Sequence, residues 1–162
     1  MSLDRLWAGW RSTYIEGVAN AEPVDGECLF CALNDDDDEI VAREPHVFAI
    51  LNRYPYTSGH LLVAPTRHTG DLEGLSADEA GALIRMTQHA TAAVKAAYTP
   101  DGVNVGMNLG RAAGAGIPGH LHVHVLPRWV GDTNFLTSVA EARVLPEPLD
   151  VSREKLAAAW PS

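Results

Sequence analysis

His120-Leu121-His122-Val123-His124-Val125-Leu126 is the stretch that decides the fold of this chain. Because successive side chains of a β-strand point to opposite faces, its three histidines are predicted to share one face, while the leucine and valine side chains line the other. Residues two apart on a strand lie about 6.6–7 Å apart, which is close enough for the imidazoles to surround one metal ion or one phosphate. The pattern predicts a strand with a buried apolar face and a histidine face that carries chemistry.

Two kinds of chemistry fit this histidine face. Neutral imidazoles bind transition metals, or one imidazole attacks a phosphoryl group while its neighbours orient it. The preceding loop, residues 108–119, favours the second, because its glycines expose backbone N–H groups that can approach an anion closely. Arg111 and Arg128 bracket the segment with positive charge, and guanidinium groups suit phosphate oxygens.

The amino-acid composition limits the classes of protein to which this chain can belong. The 162 residues are 46% hydrophobic and 20% charged, which is typical of one globular domain with a sizeable core. The formal charge of −9 argues against a protein that coats nucleic acid, since such proteins rely on basic surfaces. A small phosphorylated substrate needs only local donors and is not excluded. The acidic block at residues 35–39 favours a solvated loop.

The N-terminal segment predicts no targeting sequence. It carries Trp and Arg residues where a signal peptide needs an apolar run. No apolar run in the chain approaches the roughly 18–20 residues of a membrane span. We therefore expect a cytoplasmic protein without a membrane partner.

Hydrophobic periodicity predicts an α+β domain. Ser76 and Glu79 form the signature of a helix start, and apolar residues recur at helical spacing as far as Tyr98. A second, short helix is expected in the C-terminal tail, residues 147–162. Consecutive short strands with one crossover helix indicate a mainly antiparallel sheet. The predicted strands cover residues 39–43, 47–51, 60–64, 103–108 and 121–126.

Cys28 and Cys31 are the only cysteines. In a reducing compartment a Cys-x-x-Cys pair is either redox-active or half of a zinc site. A redox pair usually follows a strand and starts a helix, whereas this pair follows a loop. Four-coordinate zinc would need two further ligands.

The histidine stretch with the following Pro127-Arg128 resembles the histidine-triad family of nucleotide hydrolases and transferases. Further family motifs occur in the expected order, at residues 52–65, 65–68 and 104–108. Three segments resemble the family's bacterial dinucleoside-polyphosphate phosphorylase-like branch: residues 6–11, 28–31 and 128–135. The likeness covers about residues 5–146 of a single predicted domain, residues 1–162.

The resemblance implies a five-stranded antiparallel half-barrel sheet with one long helix, paired as a homodimer through that helix and an edge strand. It also supplies His68 and His120 as partners for Cys28 and Cys31. Four protein ligands leave no open position for water, so such a zinc would be structural. No organic cofactor is implied.

The resemblance further implies roles for the site residues. His122 would attack an α-phosphorus and form a nucleotidyl-histidine, with His120 and His124 as catalytic companions. Asn52 would lie near the ribose. The groups expected near the phosphates are Asn108, Gly114, Gly116 and His124. Many family members carry a polar residue three or four positions before the triad, where this chain has Gly116 and Ile117, so backbone amides would have to replace it.

The leading function is cleavage of dinucleoside polyphosphates such as diadenosine tetraphosphate, with water or inorganic phosphate as the acceptor. The sequence does not separate the two acceptors, nor does it give the base or the polyphosphate length. One alternative is a nucleoside phosphoramidate- or adenylylsulfate-cleaving enzyme, and another is a zinc-bearing nucleotide-binding regulatory module. The least favoured alternative is a hydrolase that binds a catalytic metal ion through all three histidines.

Overall fold

The fold is seen in a computed structural model that describes residues 28–33, 39–132 and 147–161. The predicted solvated loop at residues 35–39 lies outside these residues except for Glu39. No helix within the described ranges is long and apolar enough to cross a membrane. The elements are β1 (Ile40–Glu44), β2 (Val47–Leu51), β3 (Leu61–Pro65), α1 (Ala77–Tyr98), β4 (Gly102–Met107), β5 (Val123–Arg128) and α2 (Leu149–Ala158).

The strands form one five-stranded sheet in the order β1-β2-β3-β5-β4. Every neighbouring pair is antiparallel. The helix α1 lies in the connection between β3 and β4, and α2 follows the sheet. The predicted fold class, an antiparallel sheet with one long helix and a short C-terminal helix, is confirmed.

The histidine strand begins two residues later than predicted, at Val123 instead of Leu121. The backbone N–H of Leu121 donates to the Thr69 carbonyl at 2.6 Å, so this part of the chain pairs with the segment after β3 and not with the sheet ladder. At its other end the strand extends beyond the residues that pair with β3 and includes Pro127. Proline has no backbone N–H, but β3 does not pair at this position, so no hydrogen bond to β3 is lost. The predicted alternation nevertheless holds, since Leu121 and Val123 are buried on the apolar face.

The main core lies between the sheet and the two helices. Ser76 and Glu79 form the predicted capping box, in which each side chain accepts a hydrogen bond from the backbone N–H of the other residue. The predicted helical face is confirmed, because Leu83, Met86, Ala90 and Val94 are buried in this core. The helix α2 adds the fully buried Leu156.

A second, smaller apolar cluster forms next to this core. Its buried residues are Phe30, Phe48, Ile50, Leu62 and Ala64. Along β3, Leu61 and Val63 belong to the main core while Leu62 and Ala64 belong to the second cluster, so the two clusters lie on opposite faces of the sheet. The ring of Phe30 also contacts His120 and His122, which places the histidine side chains on the face of the second cluster.

Candidate active site

His122 is held in one orientation and one tautomer. Its side chain is 5% exposed, and Nδ1 lies 2.8 Å from the backbone carbonyl oxygen of His120. Because a carbonyl only accepts, Nδ1 carries the proton and donates it, and Nε2 keeps a free lone pair. Burial lowers the pKa of the His122 imidazole, and the hydrogen bond to His120 opposes this shift without reversing it. The ring is therefore neutral near pH 7 and has one nucleophilic nitrogen.

His60 orients the third histidine of the triad. The backbone N–H of Tyr56 donates to Nδ1 of His60 at 3.2 Å, and Asn52 Nδ2 lies 3.2 Å from the same nitrogen. A backbone N–H can only donate, so Nδ1 of neutral His60 is the acceptor and its proton is on Nε2. That Nε2–H donates to Nδ1 of His124 at 2.9 Å.

His124 consequently carries its proton on Nε2. Because its Nδ1 accepts from His60, the neutral ring has only Nε2 left to hold the hydrogen. This atom is buried and has no hydrogen-bond partner among the described residues. Burial, with a smaller contribution from the neighbouring His122, lowers the pKa of His124 to about 4. The site thus presents a buried N–H donor beside a nitrogen lone pair, with the rings of His122 and His124 in edge contact at 5.1 Å.

His120 faces away from these two rings toward the cysteines. Its Nε2–H donates to the Pro65 carbonyl at 2.8 Å, so its Nδ1 is unprotonated. That nitrogen lies 3.3 Å from Cys28 Sγ and 3.6 Å from Cys31 Sγ. Burial is the main cause that lowers the pKa of His120, and the nearby His68 and His122 add to it. Both ring nitrogens are occupied, and the backbone carbonyl of His120 is the group that reaches His122.

The four residues expected to bind zinc come together in the structure. His68 Nδ1 lies 3.3 Å from Cys31 Sγ, and all four candidate ligand atoms lie within 4.8 Å of one another. Tetrahedral zinc bonds of about 2.3 Å to sulfur and 2.0–2.1 Å to nitrogen would hold sulfur and nitrogen roughly 3.5–3.6 Å apart. The observed separations fit this spacing, and the Pro65 carbonyl fixes the tautomer that a metal-binding His120 needs. The donor set therefore suits zinc.

Two aromatic side chains border the histidines, and we did not anticipate either as part of the site. Phe30 is 4% exposed and contacts the rings of His120 and His122 edge to face, at centroid distances of 5.2 and 5.4 Å. The ring of Tyr56 lies 4.8 Å from that of His60 and stacks on that of His124 at 6.0 Å. The only sequence signal for Phe30 was its position between the two cysteines, which an ordinary core residue would share.

The residues expected to contact substrate are arranged in two groups. Asn52 borders His60, and its Oδ1 accepts the backbone N–H of Tyr54 at 3.0 Å. Asn108, Gly114 and Gly116 lie on the loop between β4 and His120, where Asn108 Nδ2 donates to the Gly114 carbonyl at 3.4 Å. Gly114 has φ +91°, a left-handed conformation that favours glycine, and Gly116 is exposed.

Arg128 does not present the open positive charge that the sequence suggested. Its guanidinium pairs with the Asp132 carboxylate at 2.5 and 2.8 Å and donates to Asn104 Oδ1 at 2.8 Å. The salt bridge leaves this end of the histidine strand close to neutral.

The chain is similar in sequence to a known protein family and to a named protein. The family model described as HIT domain matches residues 34–130. A Mycobacterium tuberculosis protein (strain CDC 1551 / Oshkosh) named AP-4-A phosphorylase is 40% identical over an alignment of 165 residues, which covers 98% of this chain and 85% of that protein.

Solved structures give a similar result. A hypothetical histidine triad nucleotide-binding protein from Sulfolobus tokodaii superposes with a TM-score of 0.66 at 27% identity, covering 82% of this chain and 91% of that one. A Zn-bound histidine triad family protein from Mycobacterium smegmatis superposes with a TM-score of 0.62 at 26% identity, and 91% of each chain is covered.

Proposed function

Since this chain belongs to the HIT domain family, we propose that it cleaves dinucleoside polyphosphates at the α-phosphorus through a nucleotidyl-histidine. The similarity to a protein named AP-4-A phosphorylase extends over nearly the whole chain and supports diadenosine tetraphosphate as the type of substrate. The observation that carries the proposal is the buried His122 ring, whose Nδ1–H is bound by the His120 carbonyl so that Nε2 is free to attack.

In the first step, Nε2 of His122 forms a bond to the α-phosphorus while the bond from phosphorus to the departing oxygen breaks. The electron pair of that bond goes to the departing oxygen, and the nucleotide leaves as a phosphate anion that accepts a hydrogen bond from the Nε2–H of His124. In the second step, an oxygen of water or phosphate forms a bond to the same phosphorus while the bond from phosphorus to His122 breaks; its electron pair returns to Nε2 of His122, and the proton lost by the acceptor passes to solvent. Division of one displacement into two is the advantage of covalent catalysis, and the unpartnered N–H of His124 supports its role as donor.

The remaining predicted residues take supporting roles in this proposal. His120 contributes through its backbone carbonyl, since its ring nitrogens face Pro65 and the cysteines. Backbone amides of the loop that contains Gly114 and Gly116 would bind the non-bridging oxygens, a form of stabilisation that often dominates catalysis. Asn108 would hold this loop in place. The amide oxygen of Asn52 has a second lone pair beyond the Tyr54 N–H, and we assign it to a ribose hydroxyl.

We also propose that Cys28, Cys31, His68 and His120 bind one structural zinc ion. When bound, it would hold the cysteine turn to the end of β3 and to the residue that orients His122, without an open position for substrate. Thiols kept reduced as ligands suit a reducing compartment, so we place the protein in the cytoplasm. Recovery of the folded protein outside the cytoplasm in cell fractionation would contradict that placement.

Product analysis with diadenosine tetraphosphate, in the presence and absence of inorganic phosphate, tests the function. We expect ADP plus ATP only when phosphate is present, as a phosphorylase requires. AMP plus ATP in both reactions would instead identify water as the acceptor and leave the rest of the mechanism intact. Absence of turnover in both reactions, with nucleotide still bound, would contradict the proposed substrate and favour phosphoramidates, adenylylsulfate or a regulatory role.

We propose that the chain forms a homodimer through β4 and the outer face of α1. Within the described residues β4 pairs only with β5, and Val105 on it is 50% exposed. Ile84 on α1 is 54% exposed and lines a groove with five more residues of that helix: Thr87, Gln88, Thr91, Ala92 and Lys95. An open edge strand and a helix groove with an exposed Ile84 are the features that a second copy would cover.

Light scattering after size-exclusion chromatography tests the dimer. We expect the wild-type protein at twice the chain mass of 17.4 kDa and Val105→Lys mainly at the chain mass, because a charge on the edge strand opposes strand pairing. Val130→Lys is the matched control, since Val130 is 92% exposed and lies after β5. A monomeric wild type, or a Val105→Lys dimer as stable as the control, would refute this interface.

A further inference from the structure

The cysteine turn carries an aromatic side chain between its two thiols. Cys31 N–H donates to the Cys28 carbonyl at 3.0 Å, which closes a tight turn. The intervening Phe30 points into the second cluster, where it is 4% exposed. Its ring is inclined at 63° to that of His122 and at 81° to that of His120. The same turn therefore carries two metal-ligand candidates and a direct contact to the nucleophile.

The position of this turn is set by the histidines beyond it. Cys28 Sγ lies against His120 Nδ1 and Cys31 Sγ against His68 Nδ1, both at 3.3 Å. Cys28 and His120 are 92 positions apart in sequence, so the thiol–imidazole contacts, together with the packing of Phe30, hold the turn to the histidine strand. A metal ion bound by the four side chains would lock the turn in place, and with it the ring of Phe30.

The hydrogen bond to the His120 carbonyl fixes only one point of the His122 ring. An imidazole held at Nδ1 can still pivot about that bond and move Nε2 out of line with the phosphorus. The ring of Phe30 blocks the pivot on one side at a centroid distance of 5.4 Å, and His124 does so on another at 5.1 Å. Edge-to-face contacts at these distances are attractive as well as space-filling. Small displacements of a reacting atom are costly in rate.

We infer that the Cys28–Cys31 turn is a positioning element for the nucleophile, in which metal binding holds Phe30 against His122 and Phe30 holds the imidazole aligned for attack. Phe30 is thus a positioning residue, and the metal affects the rate through it as well as through stability. The inference rests on the proposed function for the transfer step, but the orientation of His122 is testable without any substrate.

Phe30→Leu is the test variant, and Phe48→Leu is its matched control. Both phenylalanines belong to the second cluster, and their ring centroids lie 6.0 Å apart, but Phe30 is the one of the two whose ring contact with His122 the structure shows. We expect Phe30→Leu to slow nucleotidyl transfer in a single turnover roughly three- to tenfold while KM changes less than about twofold. The control should match the wild-type rate, and both variants should bind one zinc per chain.

Metal removal completes the experiment. In the wild type, a chelator should lower the transfer rate and move or broaden the ring-nitrogen signals of labelled His122 in the NMR spectrum of the substrate-free protein. In Phe30→Leu the same treatment should have a smaller effect on the transfer rate and on the His122 signals, because the ring contact between residue 30 and His122 is already lost. This readout also covers the case in which Phe30→Leu folds poorly, since the wild type alone shows whether metal affects His122.

Three results would overturn the inference: a wild-type transfer rate in Phe30→Leu, an effect on KM alone, or His122 signals that do not respond to metal. The second would mean that Phe30 contacts the substrate and does not position the nucleophile. Absence of turnover by the wild type would count against the proposed function, whereas the NMR comparison would still decide whether metal and Phe30 orient His122.

Discussion

His122→Ala should abolish turnover of diadenosine tetraphosphate while nucleotide binding is largely retained. The substitution removes the one imidazole lone pair that the His120 carbonyl leaves free on this ring. Loss of an enzyme nucleophile costs on the order of 10⁴–10⁶ in kcat, whereas binding depends on other groups. Steady-state kinetics and binding of a non-hydrolysable analogue measure the two quantities separately.

The covalent adduct gives a second, independent readout. Rapid acid-free quenching of the wild type with labelled substrate should trap nucleotide on the protein, and His122→Ala should trap none. His46→Ala is the matched control, because His46 is an exposed histidine in the turn between β1 and β2. Normal turnover by His122→Ala would rule out the covalent route, and so would failure to trap any adduct with the wild type under conditions of fast turnover.

Replacement of both cysteines by serine should eliminate zinc binding and lower the free energy of unfolding. A ligand present at about 1,000 times its dissociation constant stabilises the folded state by about 4 kcal/mol. For a chain of this size, that loss corresponds to a melting temperature lower by roughly 8–16 °C. Elemental analysis and thermal unfolding measure the two effects.

A chelator supplies the control for the double cysteine variant. Chelation should lower the wild-type melting temperature to that of the variant and leave the variant unchanged, since both effects have the same origin. If the variant still bound one zinc per chain, or if chelation did not change the wild type, then Cys28, Cys31, His68 and His120 would not be the metal site.

The fold could be predicted largely because its signals are local. The alternation from Leu121 to Val125 and the capping box at Ser76 and Glu79 are set by neighbours within a few residues. The start of β5 could not be placed, because it depends on where the Leu121 N–H finds an acceptor, and that acceptor is Thr69. A tertiary hydrogen bond of this kind leaves no periodic trace in the sequence.

For the candidate site, too, the local features could be predicted from the sequence and the tertiary contacts could not. The spacing of the triad and of Cys28 and Cys31 indicated which residues carry chemistry, but not the tautomers on which their roles depend. The proton on His124 is fixed by His60, 64 positions away, and His60 is fixed in turn by the backbone of Tyr56. Phe30 was missed for a similar reason, since an apolar residue between two cysteines reads as ordinary core.

The position of the proton on His124 also limits how far the triad can be treated as a transferable module. A scaffold that received only residues 120–124 would gain the three imidazoles but not the turn at 52–60, whose backbone and side chains specify which nitrogen bears the hydrogen. The transplanted third imidazole would be free to adopt the opposite tautomer and offer a lone pair where a donor is required. Grafting this chemistry into a new protein therefore means copying two distant strand ends together.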